Sequence, residues 1–116
     1  MKEILVELNE SAQLLGSMVM TPDGIPVATA LDPAIQEDAM AALVSSFLLT
    51  LRRGMAGFGK TEELVSCALN ATLGKVLLVN LSNCYLVAIA PVDLHLERKD
   101  PAILSAMEKI KNRKAA

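Results

Sequence analysis

Residues 32–61 read "DPAIQEDAMAALVSSFLLTLRRGMAGFGKT", and the way this stretch divides decides the fold. Its last eight residues, Gly54 to Thr61, satisfy the phosphate-loop pattern G-x-x-x-x-G-K-[ST]. In a working loop of that kind the backbone amides wrap the phosphates, the lysine reaches the β and γ oxygens, and the hydroxyl holds magnesium. A strand must lead into it and a helix must leave it. The residues before Gly54 read instead as a helix. Asp32 can cap free amides, and Pro33 fits the first helical position. From there Ile35, Ala39, Met40, Leu43, Val44, Phe47, Leu48, Leu51 and Met55 keep the helical period for about six turns.

The segment after Thr61 is rich in β-forming residues, among them Val65, Cys67 and Leu69. The opposite division makes 44–51 a strand and 62–72 a helix, with "VAIAPVD" at 87–93 supplying the acidic strand that holds magnesium. The Asp-Pro start and the long helical period argue against it. The chain is also short for a nucleotide-binding α/β domain, and its sheet would lack crossover helices. Gly54, Gly57 and Gly59 are more simply the stop and loop after a helix. A nucleotide-binding enzyme built on residues 54–61, which would need Lys60, is therefore the remote reading.

A second stripe on the central helix holds Asp38, Ala42, Ser45, Ser46, Leu49 and Arg53. Small residues in a row let another helix approach closely, whereas an ordinary solvent face carries more charge. Composition points the same way. The chain has 116 residues, 53% of them hydrophobic, with one Tyr, two Phe and no Trp. One domain over 1–116 is the expectation at this length. A domain so small and apolar is expected to bury a further face against a second copy of itself.

The net charge of −2 gives no electrostatic footprint for nucleic acid. Lys109, Lys111, Arg113 and Lys114 read as the last turn of a helix complementing its dipole. No apolar run has the length of a membrane span, and the acids in "MKEILVELNESAQ" do not suit a secretory signal, so a cytoplasmic protein without membrane insertion is expected. Cys67 and Cys84 lie in apolar strand-like runs and read as buried thiols. His95 is the single histidine, which leaves no material for a histidine metal cluster or a catalytic dyad. No cofactor, metal or catalytic residue is expected.

The remaining elements emerge from periodicity. Ile4, Leu5, Leu8, Ala12 and Leu15 mark an N-terminal amphipathic helix. "GSMVMT", "PDG" and "IPVATA" form a hairpin across a turn with Pro second and Gly fourth, and Pro26 places its strand at a sheet edge. "EELVSCALNAT" (62–72), "KVLLVNL" (75–81) and "CYLVAIAPV" (84–92) are three more strands joined by short turns, the last two apolar enough to be covered on both faces. Asp100-Pro101 opens a closing helix carrying Ile103, Leu104, Met107 and Ile110.

This order, with "LLGSMVMTPDGIPVAT" leading into a long helix, resembles the Roadblock / dynein light chain family. The likeness extends over nearly the whole chain and includes "GKVLLVNL" and "YLVAIAPVDLHL". The sequence departs from it at Ser82-Asn83-Cys84, where many members carry a glycine. The resemblance implies a profilin-like α+β sandwich of order α-β-β-α-β-β-β-α. A five-stranded antiparallel sheet has the long central helix on one face and the terminal helices on the other.

It also implies a homodimer in which central helices lie antiparallel and third strands pair. Carried over, Ala42, Ser45, Ser46, Leu49 and Arg53 form the helix contact, and Val65, Cys67 and Leu69 the strand contact. Many bacterial members bind Ras-like small GTPases, and the MglB type accelerates GTP hydrolysis without being an NTPase. The implied role is a dimeric regulatory partner of a Ras-like small GTPase, with Gln36, Glu37, Asp38, Ala41, Ser45, Arg52 and Arg53 as its contacts. Arg52 or Arg53 is in place to act as an arginine finger supplied in trans. A scaffold that ties its partner to a larger assembly is the alternative.

Overall fold

The tetrapeptide Thr21-Pro22-Asp23-Gly24 closes a hairpin between β1 (Gly16–Met20) and β2 (Pro26–Leu31) in the computed structural model of the chain, which describes residues 1–57, 65–72, 74–97 and 99–115. The Gly24 amide donates to the Thr21 carbonyl at 2.9 Å, and the Thr21 amide to the Ile25 carbonyl at 2.9 Å. The turn needs Gly24 at φ +93°, a region that side chains with a Cβ avoid. Val19 lies opposite Ala28 but Met20 opposite Pro26, so Val27 is the extra residue of a bulge. β2 is an edge strand, as Pro26 predicts.

Around this hairpin the chain adds α1 (Lys2–Ala12), α2 (Glu37–Met55), β3 (Ser66–Ala71), β4 (Gly74–Asn80), β5 (Tyr85–Ala90) and α3 (Pro101–Ala115), in the predicted α-β-β-α-β-β-β-α order. The five strands form one antiparallel sheet in the order β2-β1-β5-β4-β3. Alternation along the strands sends Val19, Leu77, Val79, Leu86 and Ala88 to one face, against Leu5 and Leu8 of α1 and Ile103, Met107 and Ile110 of α3. Met18, Met20, Leu78, Tyr85, Val87 and Ile89 go to the other face, under α2. Both faces are covered, and every residue of β1 and β5 is buried. The predicted sandwich is the observed one.

The central helix begins later than Asp32-Pro33 predicts. Asp32 Oδ1 accepts from the Ala34 amide at 2.9 Å, and the Asp32 carbonyl from the Ile35 amide at 2.8 Å. The aspartate therefore caps a separate turn. Gln36 is extended, with φ −83° and ψ 123°, and helical bonding starts when the Met40 amide donates to its carbonyl at 3.0 Å. The helix has 19 residues, about five turns rather than six.

Its phase also differs from the predicted one. Ala41, Val44 and Leu48 are buried against the sheet, while Ala39 and Leu43, expected inside, are exposed. Apolar residues on this helix span a wider arc than one sheet face can cover. Composition alone could not say which edge of that arc faces water.

One buried polar network ties α1 to the hairpin. The Ser17 hydroxyl, fully buried, donates to Asn9 Oδ1 at 2.7 Å, and Asn9 Nδ2 donates to the Ala30 carbonyl at 2.8 Å. Asn9→Ala removes both bonds and leaves Ser17 with only the Leu5 carbonyl, 3.4 Å away. The expected loss is about 1.5 kcal/mol, read as a lower urea midpoint.

The turn from β4 to β5 explains how the chain manages without the missing glycine. Ser82 itself takes φ +76°, its amide held by Asn80 Oδ1 at 2.8 Å, while the Leu81 amide donates to the Cys84 carbonyl at 2.9 Å. Ser82→Gly removes the left-handed penalty at an exposed site. It is expected to raise stability by about 1 kcal/mol, measured by chemical denaturation.

Candidate functional site: the outer face of the central helix

Two contacts fix how α2 is rotated on the sheet. Ser45 packs against Gly24 so closely that a Cβ at Gly24 would fall on Ser45 Oγ and lie 2.8 Å from Ser45 Cβ. Arg52 Nη2 donates to the Tyr85 hydroxyl at 3.1 Å and lies 3.5 Å from the Pro22 carbonyl. Ser45 and Arg52 therefore face the β1–β2 turn. Successive helix positions rotate by about 100°. Ala42, Leu49 and Arg53 thus share this flank, on its outer side. Leu43, Phe47, Thr50 and Gly54 fall on the opposite flank, toward β4 and β3, with Ala39 and Ser46 along the crest.

The uncovered arc is apolar at both margins, Leu43 being 55% and Leu49 49% exposed. Between them the crest is small or uncharged. Charge collects at the ends, with Glu37 and Asp38 in the first turn and Arg52 and Arg53 in the last. Those ends are about 24 Å apart along the axis. Within one copy, Gln36, Glu37 and Asp38 do not meet Arg52 and Arg53.

Each residue predicted at this site has a definite place. Gln36, Glu37, Asp38, Ala42, Ser46, Leu49 and Arg53 are exposed. Ala41, read from the sequence as a surface contact, is a core residue with 6% exposure, because the helix turns it onto the sheet. Ser45 is half-buried against the turn. β3 hydrogen-bonds to β4 on one side, and among the described residues no strand pairs with it on the other. Val65, 56% exposed, leads into it, its carbonyl accepting the Asn80 amide at 2.9 Å. Cys67 is half-buried in the cluster beneath α2, opposite Leu78, and Leu69 lies opposite Val76 on the same side. What this edge offers another chain is mainly backbone.

Sequence reasoning missed the Tyr85 contact. The chain's one tyrosine sits in an apolar strand at 5% exposure, and a buried phenol needs a hydrogen-bond partner, which was the available signal.

The phosphate-loop pattern is only partly described. Gly54 and Met55 are the last residues of α2, and the Gly57 amide donates to the Gly54 carbonyl at 3.3 Å. Phe58, Gly59, Lys60 and Thr61 lie outside the described residues. The element that enters the pattern is a helix, where a phosphate loop requires a strand. Among the described residues no helix is long and apolar enough to cross a membrane.

No protein-family model matches the chain. An uncharacterized protein of Methanocaldococcus jannaschii, MJ1340, is 28% identical to it over 110 residues, 93% of this chain and 94% of that protein. Among solved structures, the Roadblock/LC7 domain from Streptomyces avermitilis matches with a TM-score of 0.85 at 15% identity, over 100% of this chain and 98% of that one. Myxococcus xanthus MglB matches with a TM-score of 0.86 at 13% identity, over 98% of this chain and 86% of that one. Likeness at such identities carries the architecture, and it agrees with the order of elements, the hairpin and the two-sided core: the chain has the Roadblock/LC7 fold.

Proposed function

We propose that the protein is a Roadblock-family homodimer that regulates a Ras-like small GTPase through the outer face of α2. The observation that carries this reading is the uncovered apolar arc of α2 beside the open β3 edge. Pairing β3 with β3 of a second copy sets the two α2 helices side by side and antiparallel. Their β3-facing flanks then meet: Leu43 becomes covered, and small Ala39, Ser46 and Gly54 permit close approach. Burial of exposed apolar area favours this pairing.

The flank carrying Ala42, Leu49 and Arg53, with Asp38 at its start, stays open on the paired helices. It is the surface offered to the GTPase. The fold shared with MglB and the resemblance carried by "TPDGIPVAT" support a GTPase as the partner. Stimulated hydrolysis is the finer form of the proposal, with Arg53 as the arginine available to act in trans.

The test is GTP turnover by the Ras-like GTPase of the source organism, with and without this protein, with binding recorded in the same samples. Faster turnover supports an activator. Binding at an unchanged rate supports a scaffold. Absence of binding in both nucleotide states overturns the proposal.

A further inference from the structure

We infer that Arg52 is a positioning residue, which clamps the β1–β2 turn onto α2 and leaves Arg53 as the cation that meets a partner. The inference rests on reading α2 as the docking face, but the clamp itself is a property of the free protein.

The two arginines are neighbours in sequence, yet their surroundings differ. Arg52 bridges two elements, donating to the Tyr85 hydroxyl at 3.1 Å and approaching the Pro22 carbonyl at 3.5 Å. Its guanidinium carbon is 5.9 Å from the Tyr85 ring centroid, at the outer limit of about 6 Å for a cation over a ring face. The hydrogen bond to the hydroxyl, rather than stacking, therefore holds the contact. Tyr85 is itself fixed, buried at the start of β5 and opposite both Met20 and Asn80. Arg53, one position on, points outward and makes no hydrogen bond or ion pair with any described residue.

A planar guanidinium suits this bridge because it presents several donors in fixed directions. The other half of the clamp is the close packing of Gly24 on Ser45. Together they hold both sides of the turn, Pro22 and Gly24, against a rigid helix. The turn presents Asp23 and Ile25, the latter 62% exposed, beside the open flank of α2. Without Arg52 that portion of the surface loses its fixed position.

Amide exchange in the free protein tests the clamp, since the Gly24 amide is bonded to the Thr21 carbonyl and the Ile25 amide to Thr21 Oγ1. Arg52→Ala and Tyr85→Phe are expected to speed exchange at both amides on the order of tenfold, with the urea midpoint lowered by no more than the loss of one hydrogen bond. Arg53→Ala is expected to change neither. Arg52→Lys keeps the charge but not the fork, and is expected to restore protection only in part. In binding to the GTPase loaded with a non-hydrolysable GTP analogue, Tyr85→Phe should weaken affinity as much as Arg52→Ala, and the double variant no further.

Wild-type exchange at Gly24 and Ile25 in both Arg52→Ala and Tyr85→Phe would overturn the clamp. Wild-type affinity in Tyr85→Phe alongside lost affinity in Arg52→Ala would overturn positioning and make Arg52 a direct contact. A wild-type protein that binds no GTPase removes the docking reading, while the exchange result still decides the clamp.

Discussion

Leu43→Asp is expected to convert a dimer into a well-folded monomer, while Leu49→Asp leaves the dimer intact. Both leucines are about half exposed on the same helix, so exposure does not distinguish them. Their flanks do. Leu43 turns toward β3 and lies in the proposed contact between copies, and Leu49 turns toward the β1–β2 turn and lies outside it. In each copy the aspartate costs about 2 kcal/mol, part from apolar area left in water and part from a carboxylate that the contact would desolvate. A two-fold contact counts the change twice, giving about 4 kcal/mol, or roughly a thousandfold in Kd. Light scattering across a concentration series reads the mass. The same substitution at Leu49 is expected to reduce GTPase binding instead. If Leu49→Asp breaks the dimer and Leu43→Asp does not, the contact lies on the turn-facing flank, where the sequence alone places it.

Gly24→Ala is expected to lower stability by about 3 kcal/mol, a large loss for one methyl group. Part comes from holding a Cβ at φ +93°, and part from the collision with Ser45. The two parts can be separated. Ser45→Ala in the same chain removes the hydroxyl but keeps the Cβ, and should recover some of the loss without touching the backbone term. Urea denaturation of the two single variants and the double variant gives the coupling. A loss under 1 kcal/mol for Gly24→Ala would mean that the turn relaxes away from α2.

How far the sequence was legible depends on whether a signal was local. "TPDGIP" names its own turn, since Pro22, Gly24 and Pro26 each restrict the backbone at a fixed place. The apolar runs of β4 and β5 marked covered strands for the same reason. The start of α2 is misread from sequence because an Asp-Pro pair caps a short turn as readily as a helix, and only Gln36, extended, separates the two. The exchange of Ala41 for Leu43 between surface and core is a matter of phase, which the sheet decides.

The candidate site was legible as a helix but not as two flanks. Its division depends on Ser45 meeting Gly24 and Arg52 meeting Tyr85, pairs 21 and 33 residues apart that no periodicity connects. At Ser82 the departure from the family pattern left the fold intact, because Asn80 holds the left-handed turn that a glycine would adopt freely.

On the proposed function, two copies of this chain build one docking face for a GTPase. The most direct measurement is the solution mass of the complex formed with the Ras-like GTPase of the source organism, loaded with a non-hydrolysable GTP analogue. Two copies of this chain are expected in the complex, and Leu43→Asp is expected to abolish it. A complex of one copy with one GTPase, or no complex at any concentration that supports the dimer, would contradict a shared docking face.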